Sequence, residues 1–178
     1  MKLATEIDFK LNNGKTIPAL GLGTVASKDP KDVKDQVITA VKAGYRHIDT
    51  AWFYGTEKYI GEALQELFAE GIIKREDLFI TTKFWPSYWA NPEKSLDESL
   101  KDLQLDYVDL FLQHWPICLH GDENGLPKIP KDENGELIYD DDPTPNGTKY
   151  IDVYHKLEDI LETTTKVRSI GDSNYSIP

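Results

Sequence analysis

Four side chains in this sequence belong to residue types that move protons: Asp49, Tyr54, Lys83 and His114. Each closes a short strand-like run or stands in the turn just after one. Asp49 stands near the end of the run from Tyr45 to Thr50, and Tyr54 follows five residues later in a polar, aromatic turn. Lys83 ends the run from Phe79, and His114 ends the run from Val108. A phenol alone is a poor acid at neutral pH, its ordinary pKa being near ~10. A lysine cation within a few ångströms favours the phenolate and eases release of the proton. An aspartate paired with that lysine fixes it in place, and a histidine beside the phenol orients a carbonyl oxygen by hydrogen bonding. The four together make a proton donor for a carbonyl that accepts hydride on its other side. Singly, each has a plainer explanation: a cap, a rim aromatic, a surface charge, a core histidine. The same groups also suit a Schiff-base aldolase, with Lys83 as nucleophile and Asp49 and His114 carrying protons.

Such groups converge only if the chain brings strand ends together. Asn12-Asn13-Gly14 between Glu6–Leu11 and Lys15–Ala19 predicts an N-terminal hairpin. A glycine-rich strand follows at 20–24. Asp29-Pro30 opens a helix carrying Val33, Val37, Ala40 and Val41, and Gly44 closes it. Ile60, Ala63, Leu64, Leu67 and Phe68 give a second amphipathic helix from about Glu57, ended by Gly71. After a strand at 78–82, Asn91-Pro92 caps a third helix with Leu96, Leu100 and Leu103. Tyr107–Leu112 is a strand apolar on both faces except at Asp109, the mark of a covered parallel sheet. A long loop runs from Pro116 to about Tyr150, of the length that is usually functional or disordered. The fourth helix carries Val153, Tyr154, Leu157, Ile160 and Leu161, and the last strand is Val167–Ile170.

This alternation predicts right-handed βαβ units. Polar residues after successive strands, without a Gly-x-Gly-x-x-Gly fingerprint, favour a (β/α)8 barrel over an open doubly wound sheet. About five strands and four helices are accounted for, so the expectation is a truncated barrel forming one domain over 1–178. The formal charge of −11 and a pI near 4.8 argue against nucleic acid or an anionic membrane as partner, but leave room for a small anionic ligand at a local positive site. No stretch of the sequence approaches the ~20 apolar residues of a membrane span. A single cysteine, Cys118, permits no intrachain disulfide, and the expected compartment is the cytoplasm. No metal site is expected.

The motifs HIDTAWFYGTE at 47–57, ITTKFW at 80–85, DYVDLFLQHWP at 106–116 and KVRSIGDSNYS at 166–176, with GKTIPALGLGT at 14–24, resemble the aldo-keto reductase family. Their style is similar to its fungal D-arabinose dehydrogenase and carbonyl reductase members. The resemblance covers nearly the whole chain, as the N-terminal portion of the family's barrel. It implies hydride transfer between NADP(H), less often NAD(H), and an aldehyde, ketone, sugar or polyol. It implies Tyr54 as general acid, supported by Asp49, Lys83 and His114. It implies cofactor contacts from Gly23, Thr24, Asp49, Ser173 and Asn174, and a substrate mouth lined by Phe53, Trp85, His114 and Trp115. Val25 and Asp172 depart from the family pattern: the former position often holds tryptophan, the latter an apolar residue. The rival expectation is a non-catalytic piece of barrel that self-associates through open strand edges.

Overall fold

The computed structural model describes residues 3–25, 29–140 and 149–176. Strands β1 (Asp8–Lys10) and β2 (Thr16–Pro18) form the expected antiparallel hairpin, with Gly14 at φ +84° in its turn. Five further strands form one parallel sheet in chain order: β3 (Gly21–Gly23), β4 (His47–Asp49), β5 (Phe79–Phe84), β6 (Leu110–Gln113) and β7 (Ile170–Asp172). The crossovers carry α1 (Asp32–Lys42), α2 (Glu57–Ala69), α3 (Pro92–Leu103) and α4 (Lys149–Thr163).

The helices form because their apolar residues recur on one face and their ends have partners. Val33, Val37 and Val41 of α1, Ile60, Leu64 and Leu67 of α2, Leu96 and Leu103 of α3, and Val153 and Leu157 of α4 are all buried. They cover the sheet face that presents Ile48, Ile80, Phe84 and Phe111. The Asn91 side chain accepts from the Lys94 N–H at 3.3 Å, with Pro92 in the first turn. At α1 the regular helix starts at Asp32, later than Asp29-Pro30 suggests, because the Asp29 carboxylate accepts from the Lys31 N–H at 3.0 Å across an initial turn. Gly44 takes a left-handed φ of +102° and lets the Tyr45 N–H reach back to the Ala40 carbonyl at 3.0 Å.

Two strands differ from the expected boundaries, for one reason. The regular ladder of β6 begins at Leu110 and that of β7 at Ile170, with Val108 and Val167 joined by an isolated bridge. The break falls at Asp109, whose carboxylate accepts from the Ile80 N–H at 3.0 Å and from Arg75 at 2.7 Å, with Arg168 at 3.3 Å. Arg75 and Arg168 also lie 3.9 and 3.8 Å from the centre of the Tyr107 ring. The apolar pattern shows a strand there; the ion pairs of the buried Asp109 set where its regular pairing starts. The hairpin is tied to the same end of the sheet, Asn13 donating to the Ser169 hydroxyl at 2.8 Å.

Gly61 lets α2 and α3 touch. A Cβ on it would stand 2.3 Å from the Asp102 carbonyl oxygen and 2.8 Å from the Leu103 carbonyl carbon, both rigid helix backbone. Gly61→Ala should therefore lower stability by about 1–3 kcal/mol, read as a reduced urea midpoint with an unchanged slope.

Candidate active site

The sequence places Asp49, Lys83 and His114 at or just past the C-terminal ends of β4, β5 and β6. Parallel pairing brings those ends side by side: Asp49 is in register with Thr81, and Lys83 with Leu112. Because successive side chains alternate, Asp49, Thr81, Lys83 and His114 share the face opposite the helices. A short 3₁₀ turn, Trp52–Tyr54, swings Tyr54 over the same edge and ends at Gly55, φ +67°.

The four expected residues meet. The Lys83 ammonium donates to Asp49 Oδ1 at 2.6 Å and to the Thr50 carbonyl at 2.8 Å. It lies 5.2 Å from the centre of the Tyr54 ring. The Tyr54 and His114 rings meet edge to face at 5.7 Å. Lys83 and His114 are buried, only 5% and 6% exposed, whereas the Asp49 side chain keeps 35% of its surface open. Burial, and then the neighbouring Lys83 charge, push the His114 pKa down to about 4, so the ring is neutral at pH 7. Its Nδ1 is buried without a hydrogen-bond partner among the described residues.

Aromatic walls surround this group. Phe53 stacks on Trp85 with centroids 3.8 Å apart, and the edge of Trp85 meets His114 at 5.3 Å. Trp115 lies on another side of His114, stacked at 6.5 Å and 40% exposed, so it is less enclosed than Phe53 and Trp85. Thr24 is buried at the end of β3, its hydroxyl donating to the Asp49 carbonyl at 2.9 Å. A Cβ on Gly23 would meet nothing within 4 Å. The Ser173 N–H donates to the Gln113 carbonyl at 2.9 Å, and the Asn174 amide donates to the His114 carbonyl at 2.8 Å. Asn174 has φ +63°, which turns it back toward His114. Asp172 is exposed, so its carboxylate stays in water and carries no burial penalty. Val25 is exposed as well.

Three features escape the sequence reading. Glu57 begins α2 but is buried, only 3% exposed, its carboxyl accepting from the Thr82 hydroxyl at 2.5 Å on the helix side of β5. Burial raises its pKa to about 7. The loop after β6 is ordered over 117–140, pinned by Leu119–Tyr139 and Lys131–Leu137 bridges and by Ser87 and Tyr88 hydroxyls donating to the Gly125 and Asn124 carbonyls. Its segment 141–148 lies outside the described residues. The third is Lys128 of that loop, whose ammonium lies 4.5 Å from the Trp52 ring centre. The repeated Asp-Glu-Asn-Gly at 122–125 and 132–135, a turn former in each copy, is the only local signal of the loop's order.

A family profile described as "Aldo/keto reductase family" matches residues 19–178. The chain belongs to the aldo/keto reductase family. It is 41% identical over 179 residues to an aldose reductase of Encephalitozoon cuniculi, covering 93% of this chain and 52% of that protein. It is 45% identical over 170 residues to a D-galacturonate reductase of Hypocrea jecorina, covering 94% and 52% respectively. The solved aldose reductase from Schistosoma japonicum superposes with a TM-score of 0.84 at 38% identity, over 96% of this chain and 54% of that one. The chain thus spans about half the length of the relatives it matches. The neighbours are aldo-keto reductase barrels, and the five parallel strands with their helices correspond to part of one. No helix among the described residues is long and apolar enough to cross a membrane, and no group of His, Cys, Asp or Glu among them is arranged to hold a metal.

Glu57 and His114 make opposite demands on pH. Glu57 has its pKa raised from 4.5, so its contribution is full below about 4.5 and is lost as pH rises through about 7. His114 has its pKa lowered from 6.5, so stability is lost as pH falls from about 6.5 toward 4. Between pH 4.5 and 6.5 the two slopes oppose each other. Relative to wild type, Glu57→Gln should make stability rise more steeply with pH in that window, and His114→Gln should make it fall. Each difference should reach at most about 1.4 kcal/mol per pH unit in urea titrations.

Proposed function

We propose that this chain carries, in one domain, the proton-donating half of an NADP(H)-dependent reductase acting on aldehydes, ketones or sugars and polyols. The observation that carries the reading is the buried Lys83 ammonium, held between Asp49 and the Thr50 carbonyl and set against the Tyr54 ring beside a neutral His114. In this reading Tyr54 gives its proton to the substrate oxygen as negative charge develops there. Lys83 favours the phenolate left behind, and Asp49 keeps the ammonium in position. His114, neutral, aligns the oxygen by hydrogen bonding. Phe53 and Trp85 supply an apolar mouth that excludes water.

Gly23, Thr24, Asp49, Ser173 and Asn174 suit a nicotinamide: open space above Gly23, a half-open carboxylate beside it, and amide and hydroxyl groups at the end of β7. When bound, that group would supply the hydride. The names of the relatives, an aldose reductase and a D-galacturonate reductase, favour polyhydroxy aldehydes as substrates. The Schiff-base alternative is disfavoured because a nucleophilic lysine needs a free lone pair, and Lys83 donates to two acceptors. Tyr54→Phe should lower kcat for carbonyl-dependent NADPH oxidation by about 10²–10⁴-fold while cofactor affinity, read by fluorescence, changes little. Unchanged turnover, or borohydride trapping of substrate on Lys83, would remove Tyr54 from the acid role.

A second reading, a non-catalytic module, is favoured by one observation. Among the described residues β3 and β7 each pair on one side only. Such edges template pairing with another copy. The 178-residue chain should then sediment as dimers or larger species; a monodisperse monomer that melts cooperatively would count against self-association.

A further inference from the structure

We propose that Lys128 determines specificity at this site: its ammonium, seated on the aromatic wall beside Tyr54, selects carbonyl substrates that also bear a carboxylate. The inference rests on the reductase reading above and adds a substrate class to it.

A chain with a formal charge of −11 repels anions at long range, so an acidic substrate needs a local cation. Lys83 is already engaged by Asp49 and Thr50. Among the described residues, Lys128 is the other cation set against these rings. Its backbone carbonyl accepts the indole N–H of Trp85, the residue that stacks on Phe53. Its ammonium lies 3.5 Å from the Phe53 carbonyl, which is bonded directly to the Tyr54 nitrogen, and 4.5 Å and 5.8 Å from the Trp52 and Phe53 ring centres. Lys34, Lys42, Lys83 and Lys166 all have a carboxylate within 4.0 Å; among the described residues Lys128 has none. An ammonium has three donors, and the Phe53 carbonyl takes one at long range. The group is half-buried, and desolvation lowers its pKa, with Glu57 acting weakly in the other direction. A partly desolvated cation with spare donors gains a strong charge-assisted bond from a carboxylate and much less from a neutral hydroxyl. The loop anchors at Trp85, Ser87 and Tyr88 hold it there in advance, so little ordering is needed on binding.

The test compares kcat/KM for D-glucuronate and D-glucose in the 178-residue chain, with Lys128→Met and Lys128→Arg beside wild type. Lys128→Met should lower the acid-to-neutral ratio at least about tenfold, mainly through KM, and Lys128→Arg should keep most of it. A general loss of fold affects both substrates and leaves the ratio unchanged. In parallel, glucuronate is titrated against tryptophan fluorescence without turnover, where Lys128→Met should weaken binding by a similar factor and high salt should weaken wild type toward the variant. An unchanged ratio with normal turnover overturns the role of Lys128 and spares the reductase reading. Equal glucuronate affinity in wild type and Lys128→Met overturns it whether or not turnover is seen. Weaker binding in Lys128→Met with no NADPH oxidation by any chain supports the anion site and overturns the reductase reading.

Discussion

Everything at the C-terminal edge of this sheet depends on keeping one ammonium charged out of water. Removing a lysine from solvent costs several kcal/mol unless acceptors replace the water. Lys83 has two, the Asp49 carboxylate and the Thr50 carbonyl, and both come from the neighbouring strand and its exit. The pair therefore exists only if β4 and β5 run parallel in one register. The crossover helix α2 that makes them parallel also returns Tyr54 to the same edge through the turn that precedes it. The geometry of this cluster and the strand register are thus one constraint.

The opposite end of the sheet is closed by charge as well. Asp109 pairs with both Arg75 and Arg168, and both guanidinium groups also lie over the Tyr107 ring. These contacts join the start of β6 to residues on either side of it in the sheet. Between the two charged ends the helix-facing side is mostly apolar, with Glu57, Thr82, Ser95 and Ser99 among its buried polar residues. The Glu57–Thr82 pair lies directly behind Lys83 on β5, since adjacent residues of a strand point to opposite faces. A buried carboxyl with a pKa near neutrality is a group whose charge responds to conditions, and it sits on the opposite face of the sheet from Lys83.

The loop after β6 changes the character of the mouth. Without it, Phe53 and Trp85 would form an apolar cleft. With it, the Trp85 indole is bonded to Lys128 and a cation lies against Trp52. Gly121 and Gly125 permit this, because a Cβ at either would run into Ser87 or Tyr88. This side of the cluster is built by a segment whose composition looks like a solvated acidic connector.

The sequence by itself determined the hairpin, the order of strands and helices, the parallel class, and the placing of Asp49, Lys83 and His114 at strand ends with Tyr54 in the turn after β4. Those follow from local rules: hydrophobic period, caps, and polar residues at the ends of apolar runs. Its motifs also carried the family. Tertiary structure decided where β6 and β7 begin, since that depends on Asp109 meeting arginines from 34 and 59 residues away. It decided that Glu57 is buried, because a carboxylate at a helix start is usually a solvated cap and only the packing of α2 on α3 and β5 encloses it. It decided that residues 117–140 are ordered and bring Lys128 to the mouth, because the anchors are hydroxyl and indole groups distant in sequence. A chain records the period of its own apolar residues; it does not record which remote group will take a given hydrogen bond.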